Sequence, residues 1–138
     1  MNAMPETLSP DPSCGPLAGR RVLVVEDEAL VSMLIEQMLE DLGCVVVGPA
    51  TTIASALALA EGSDTIDMAL LDVNLGGEHV FPVAQALERL GVPFAFSTGY
   101  GEGGLPPEWR GRPTLQKPYT FDDVIEALDA LAAAPVKV

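Results

Sequence analysis

Positive charge is scarce in this chain. Its 138 residues hold 7 Lys+Arg against 20 Asp+Glu, a formal net charge of -13 at pH 7. Such a balance repels phosphate backbones and anionic lipid headgroups, so no nucleic-acid or membrane partner is expected. Cysteine is equally sparse. Cys14 falls in a loose N-terminal stretch and Cys44 in an apolar run, which makes a disulfide framework implausible. No uninterrupted apolar run is long enough to span a bilayer. The opening Met1-Asn2-Ala3-Met4-Pro5-Glu6 lacks a basic region followed by an apolar core, so it reads as no secretory signal. A cytoplasmic setting is the expectation. Hydrophobic residues make up 49%, enough for one globular domain with a sizeable core and too many for a disordered chain.

Residues 1–19 carry Pro5, Pro10, Pro12, Pro16, Gly15 and Gly19 among polar residues and read as a disordered lead-in. Val22-Leu23-Val24-Val25 is a β-branched apolar run, hence a buried strand, and it ends in Glu26-Asp27-Glu28. A helix follows with Val31, Leu34, Ile35, Met38, Leu39 and Leu42 as its apolar face, stopped by Gly43. Cys44 to Val47 is a second strand. Thr51 or Thr52 can cap a helix through Ala60. Met68-Ala69-Leu70-Leu71-Asp72 is a short apolar run ending abruptly in a carboxylate, as expected of a buried parallel strand. Asp also starts turns and caps helices, so Asp72 alone decides nothing.

Val73 to Gly77 reads as a loop, and a third helix is expected from about Glu78 to Leu90, with Val80, Val83, Ala84, Leu87 and Leu90 inward. His79 would then be a helix-start residue. Pro93 to Thr98 is a fourth strand. The glycines and prolines of 99–107 oppose the helix that the alternation calls for, leaving a short or labile one around Glu108-Trp109-Arg110, or none. Trp109 is expected to pack or to form an interface. Pro113 to Gln116 is a weak fifth strand before Lys117-Pro118. Thr120 or Asp122 caps a last helix through about Ala133, with Phe121, Val124, Ile125, Leu128 and Leu131 buried. The fold class is α/β: a flavodoxin-like, doubly wound, five-stranded parallel sheet in the order 2-1-3-4-5. The expected division is a domain over 20–134 and a tail over 135–138, with no second domain following.

In that strand order the carboxyl ends of neighbouring strands deliver Glu26 and Asp27, Asp72, Thr98 and Lys117 to one pocket. Three carboxylates together repel and would stay partly protonated unless a cation neutralises them, and Mg²⁺ with oxygen ligands suits that task. A lysine opposite would pair with Asp72, or with a phosphoryl group placed on it.

Val24-Val25-Glu26-Asp27-Glu28, Leu70-Leu71-Asp72-Val73-Asn74, Ser97-Thr98-Gly99 and Lys117-Pro118, in that order and at those strand ends, resemble the receiver domain of bacterial two-component response regulators over about Arg21 to Ala133. Phe96-Ser97-Thr98-Gly99-Tyr100 further looks like a single-domain subgroup with a Phe-Ala-Thr-Gly signature. The resemblance implies that Asp72 accepts a phosphoryl group from a phosphohistidine on a sensor histidine kinase or phosphotransfer protein. It implies that Asp27, Asp72 and the backbone carbonyl of Asn74 ligate Mg²⁺, with Glu26 acting mostly through metal-bound water. Thr98 would hydrogen-bond the phosphoryl oxygen, Lys117 would contact another, and the Lys117-Pro118 bond would be cis. The chain would catalyse only its own phosphorylation and dephosphorylation, and would work without an output domain by binding a downstream protein or by acting as a phosphate intermediate or sink.

The sequence departs from the family at three places. Gly76-Gly77 replaces the usual proline, leaving the rigidity of the loop open. Thr114 stands where an aromatic switch residue usually lies, and Tyr100 is a candidate substitute. The Gly/Pro-rich stretch occupies the place of the fourth helix, which suggests that phosphorylation pulls Thr98 inward and orders 99–112. Two other readings compete: a binding module of the same fold that needs no phosphate, and a Mg²⁺-dependent aspartyl-phosphate phosphohydrolase. The intact Asp27, Asp72, Thr98 and Lys117 weigh against the first. The second resembles a strand followed by Asp-x-Asp, where this chain has Asp72-Val73-Asn74 and no visible cap insertion.

Overall fold

A computed structural model describes residues 17–62, 65–99 and 105–133. Five strands form one parallel sheet: β1 (Arg21–Val25), β2 (Val45–Ala50), β3 (Met68–Asp72), β6 (Phe94–Thr98) and β7 (Thr114–Gln116). Their spatial order is β2-β1-β3-β6-β7, the doubly wound order expected. Helices α1 (Ala29–Asp41) and α4 (Phe121–Ala132) pack on one face, and α2 (Ile53–Gly62) and α3 (Phe81–Leu90) on the other. Because both faces are covered, the central strands are apolar throughout, and alternate residues feed different cores. Val22, Val24, Met68 and Leu70 join Ile35, Leu39 and Leu128. Leu23, Val25, Ala69 and Leu71 join Val83, Leu87 and Trp109.

Local chemistry sets the helix ends. Thr120 and Asp123 form a reciprocal capping box at α4, so Thr120 is the cap and Asp122 is not. Thr52 caps α2 by accepting from the Ser55 amide at 3.0 Å. Gly91, at φ 76, closes α3 in the left-handed conformation. The expected apolar stripes are right at their centres and wrong at their margins. Leu34, Leu90 and Phe121 face solvent, while Ser32 on α1 is buried. A stripe drawn from spacing is broader than the contact a twisted sheet offers, so its flanks are left outside. Ordered packing also reaches back to Leu17, which is buried and whose carbonyl accepts from the Cys44 thiol at 3.3 Å.

The third helix starts later than its periodicity suggests. Asn74–Leu75 (β4) and Glu78–His79 (β5) pair antiparallel, Asn74 opposite His79 and Leu75 opposite Glu78. Gly76 and Gly77 are the two turn residues, at φ 62 and 88. Positive φ at both central positions is the turn geometry that matches strand twist, and glycine adopts it without strain. The expected loop is therefore a hairpin, and His79 is a strand residue and no helix start. Between β6 and β7 the described residues hold only a 3₁₀ turn, Pro107–Trp109. Trp109 is buried, stacked on Phe81 at 6.0 Å and edge-on to Phe96 at 5.9 Å. Arg112 lies 5.0 Å above Phe94 and 5.1 Å from the Trp109 ring and pairs with Glu88. An aromatic plug thus fills the space that a helix would cover, and Leu105 to Arg112 is anchored on it. No helix among the described residues is long and apolar enough to cross a membrane.

Candidate phosphoacceptor site

Register brings the site together. Val25 pairs with Leu71, Asp72 with Ser97, and Thr98 with Gln116, so four strands end level with one another. At that edge lies a cavity of about 500 Å³ lined by Asp27, Asp72, Asn74, Thr98 and Lys117, among others. The sequence-derived residues therefore converge, Glu26 lying just behind the lining. Asp72 and Thr98 are each 6% exposed and Glu26 1%, whereas Asp27 is exposed. Tyr100 lies outside the described residues. The Lys117-Pro118 bond is cis.

Carboxylate oxygens of Glu26, Asp27 and Asp72 lie within 4.8 Å of one another. The Lys117 ammonium sits among them, 3.3 Å from Asp72 Oδ2 and 3.4 Å from both Glu26 Oε1 and Glu28 Oε1. One cation does not satisfy this much negative charge. Burial, and then repulsion from Asp72, push the Glu26 carboxyl up to about 7, against the pull of the Glu28 amide and of Lys117. Burial likewise raises Asp72, against the opposing effects of hydrogen bonding with Glu26 and the charge of Lys117. Burial alone would lower Lys117, but the charges of Asp72 and Glu26 prevail and raise it. Tyr119 behind the cluster is pushed up to about 12 by burial and then by Glu26.

Backbone amides complete the cradle. The Asn74 amide donates to Asp72 Oδ1 at 3.3 Å and the Glu28 amide to Glu26 Oε2 at 3.1 Å. The Gly76 amide donates to Asp27 Oδ2 at 2.9 Å, and Gly77 to the Asn74 side-chain oxygen at 2.9 Å. The hairpin thus holds one acid of the triad in place. Glu28 and His79 are also on the cavity wall, although from sequence neither carries a site role and His79 reads as a helix start. The signal for His79 was Gly76-Gly77, a two-residue hairpin turn that brings Asn74 and the residue five positions on side by side. The donor set suits a hard divalent cation: three carboxylates gather at one point, and burial holds two of them, Glu26 and Asp72, above their ordinary pKa.

The receiver-domain family model of response regulators matches residues 22–129. This chain belongs to the response regulator receiver domain family. Among its relatives, this receiver domain is 47% identical to SdrG from Sphingomonas melonis Fr1, whose solution structure superposes with a TM-score of 0.74 over 82% of this chain and 96% of that one. The receiver domain of PhyR from Erythrobacter litoralis superposes with a TM-score of 0.75 at 27% identity, covering 90% of this chain and all (100%) of that one. The phyllosphere-induced regulator PhyR of Methylorubrum extorquens is 35% identical over 89 residues, 63% of this receiver and 33% of that protein. The receiver thus corresponds to about a third of that curated relative's length.

Proposed function

We propose that Asp72 accepts a phosphoryl group from a phosphohistidine of a sensor kinase or phosphotransfer protein, and that a downstream protein reads the phosphorylated form. In this transfer the histidine N–P bond breaks as an Asp72 O–P bond forms, and the imidazole leaves. The observation that carries the reading is the placement of Asp72. It lies at the base of an open cavity, with one oxygen on an amide and the other 3.3 Å from a lysine. Such transfer asks mainly for positioning and for fixed positive charge on the moving oxygens. Lys117 supplies the charge, and Thr98, the last residue of β6, supplies a hydroxyl on the cavity wall.

Mg²⁺ fits the triad: Asp27, Asp72 and the Asn74 carbonyl would hold it, with Glu26 behind. When bound, it supplies charge neutralisation that lets Glu26 and Asp72 ionise together. On this reading the covalent chemistry begins and ends on the chain's own aspartate, and its output is protein binding or phosphate storage.

Intact mass after incubation with acetyl phosphate and Mg²⁺ tests it. One phosphoryl group added to the native chain and none to Asp72→Ala is the expected result. No adduct under any condition, together with no binding of beryllofluoride, would leave a phosphate-independent module and sink the reading.

A further inference from the structure

The hairpin carries a side chain that phosphoryl acceptance leaves unused. His79, the chain's only histidine, lines the same cavity as Asp72 and is exposed at its rim. Its place is fixed from two sides. Its backbone pairs with Asn74 across the Gly76-Gly77 turn, and its ring packs on Phe81 at 5.5 Å. Other polar groups on that wall are engaged: Asp27 with Gly76, Asn74 with Gly77, and Glu28 with Lys117. The His79 imidazole makes no hydrogen bond or ion pair among the described residues. It is a held ring with unused polar atoms at the mouth of a phosphoacceptor cavity.

We infer that His79 positions the water that hydrolyses the phosphorylated form, and so sets how long the signal lasts. This rests on the reading of Asp72 as phosphoacceptor. The geometry decides the role. Asp72 is buried at the base, so a nucleophile in line with the Asp72 O–P bond has to come from the open side of the cavity. There a ring nitrogen accepts a hydrogen bond from the water and aims its oxygen at phosphorus. The water O–P bond forms, the Asp72 O–P bond breaks, the Asp72 carboxylate is released, and both water protons leave on dihydrogen phosphate. His79 keeps its own protonation state throughout. It is a positioning residue, and orientation alone changes such a rate by one to two orders of magnitude.

The test uses the full chain phosphorylated with acetyl phosphate and Mg²⁺, freed of donor, and followed by intact mass. His79→Ala should lengthen the phosphoryl half-life by roughly tenfold or more. His79→Gln, which can still accept a hydrogen bond, should stay within about threefold of native. His79→Phe keeps the ring against Phe81 but lacks the polar atoms, so it should behave like His79→Ala. Beryllofluoride affinity, read by Trp109 fluorescence, should be unchanged in all three. Equal half-lives in native and variant chains would overturn the role of His79 while leaving Asp72 as acceptor. A native half-life in His79→Phe would show that ring packing alone suffices and would also overturn it. Failure of the native chain to form any adduct would remove the reading beneath it.

Discussion

Glu26 offers a quantitative test of the site's electrostatics. Its carboxyl is held at about 7 instead of the ordinary 4.5, first by burial and then by Asp72. The folded chain therefore binds this proton more tightly than the unfolded chain. The associated stability is fully present below about pH 4.5 and is lost as pH rises through 7. The shift corresponds to about 3 kcal/mol. Glu26→Gln removes the titration while keeping a side chain of the same shape that can face Asp72, as the protonated acid does. In the absence of divalent metal at pH 8, the variant should be more stable than the native chain by about 2–3 kcal/mol, roughly 10 °C in Tm for a domain of this size. At pH 4.5 the two should unfold together. Urea and thermal unfolding at both pH values, followed by far-UV circular dichroism, make the comparison. Millimolar Mg²⁺ at pH 8 should close the gap, because a bound cation stabilises the native triad and less so the variant. A variant less stable than native at pH 8 without metal would show that Lys117 satisfies Glu26 fully, and the need for a further cation would fall with it.

Three further outcomes follow from the same geometry. Lys117→Met removes the ammonium that touches Glu26, Glu28 and Asp72, so Mg²⁺ affinity measured by calorimetry should rise at least about fivefold, since unit charges near 4 Å interact by about 1–4 kcal/mol between water and a protein surface; unchanged affinity would place the ion elsewhere. Trp109→Ala should cost about 3 kcal/mol or more in urea unfolding, because it empties the plug under Phe81, Phe94 and Phe96 and removes one of the rings beneath Arg112; a loss below about 1 kcal/mol would mean the ring is not core. At Gly77, where φ is 88 and an added Cβ meets nothing within 4 Å, Gly77→Ala should cost about 1–2 kcal/mol by backbone conformation alone. Thermal unfolding measures it, and a neutral result would argue against the hairpin.

What the sequence determined by itself is the frame. Short apolar runs placed the strands and period-3.6 stripes four helices, and the alternation of strands with helices made the sheet parallel. A parallel sheet then obliges Glu26, Asp27, Asp72, Thr98 and Lys117 to meet, because strands of one direction all end at one edge. Those patterns are local, so they survive without knowledge of contacts. The tertiary structure decided whatever depends on what lies opposite. Leu34 and Ser32 differ by half a turn on α1, and only the position of the sheet determines that the serine is inside and the leucine outside. The run 74–79 fits a loop or a helix start by composition; the Gly76 amide on Asp27 and the pairing of Asn74 with His79 make it a hairpin. Trp109 reads as an isolated aromatic until Phe81, Phe94 and Phe96, distant in sequence, surround it. The value of about 7 at Glu26 has the same origin: burial and the charge of Asp72 are properties of the assembled edge, and neither is written in the residues that flank Glu26.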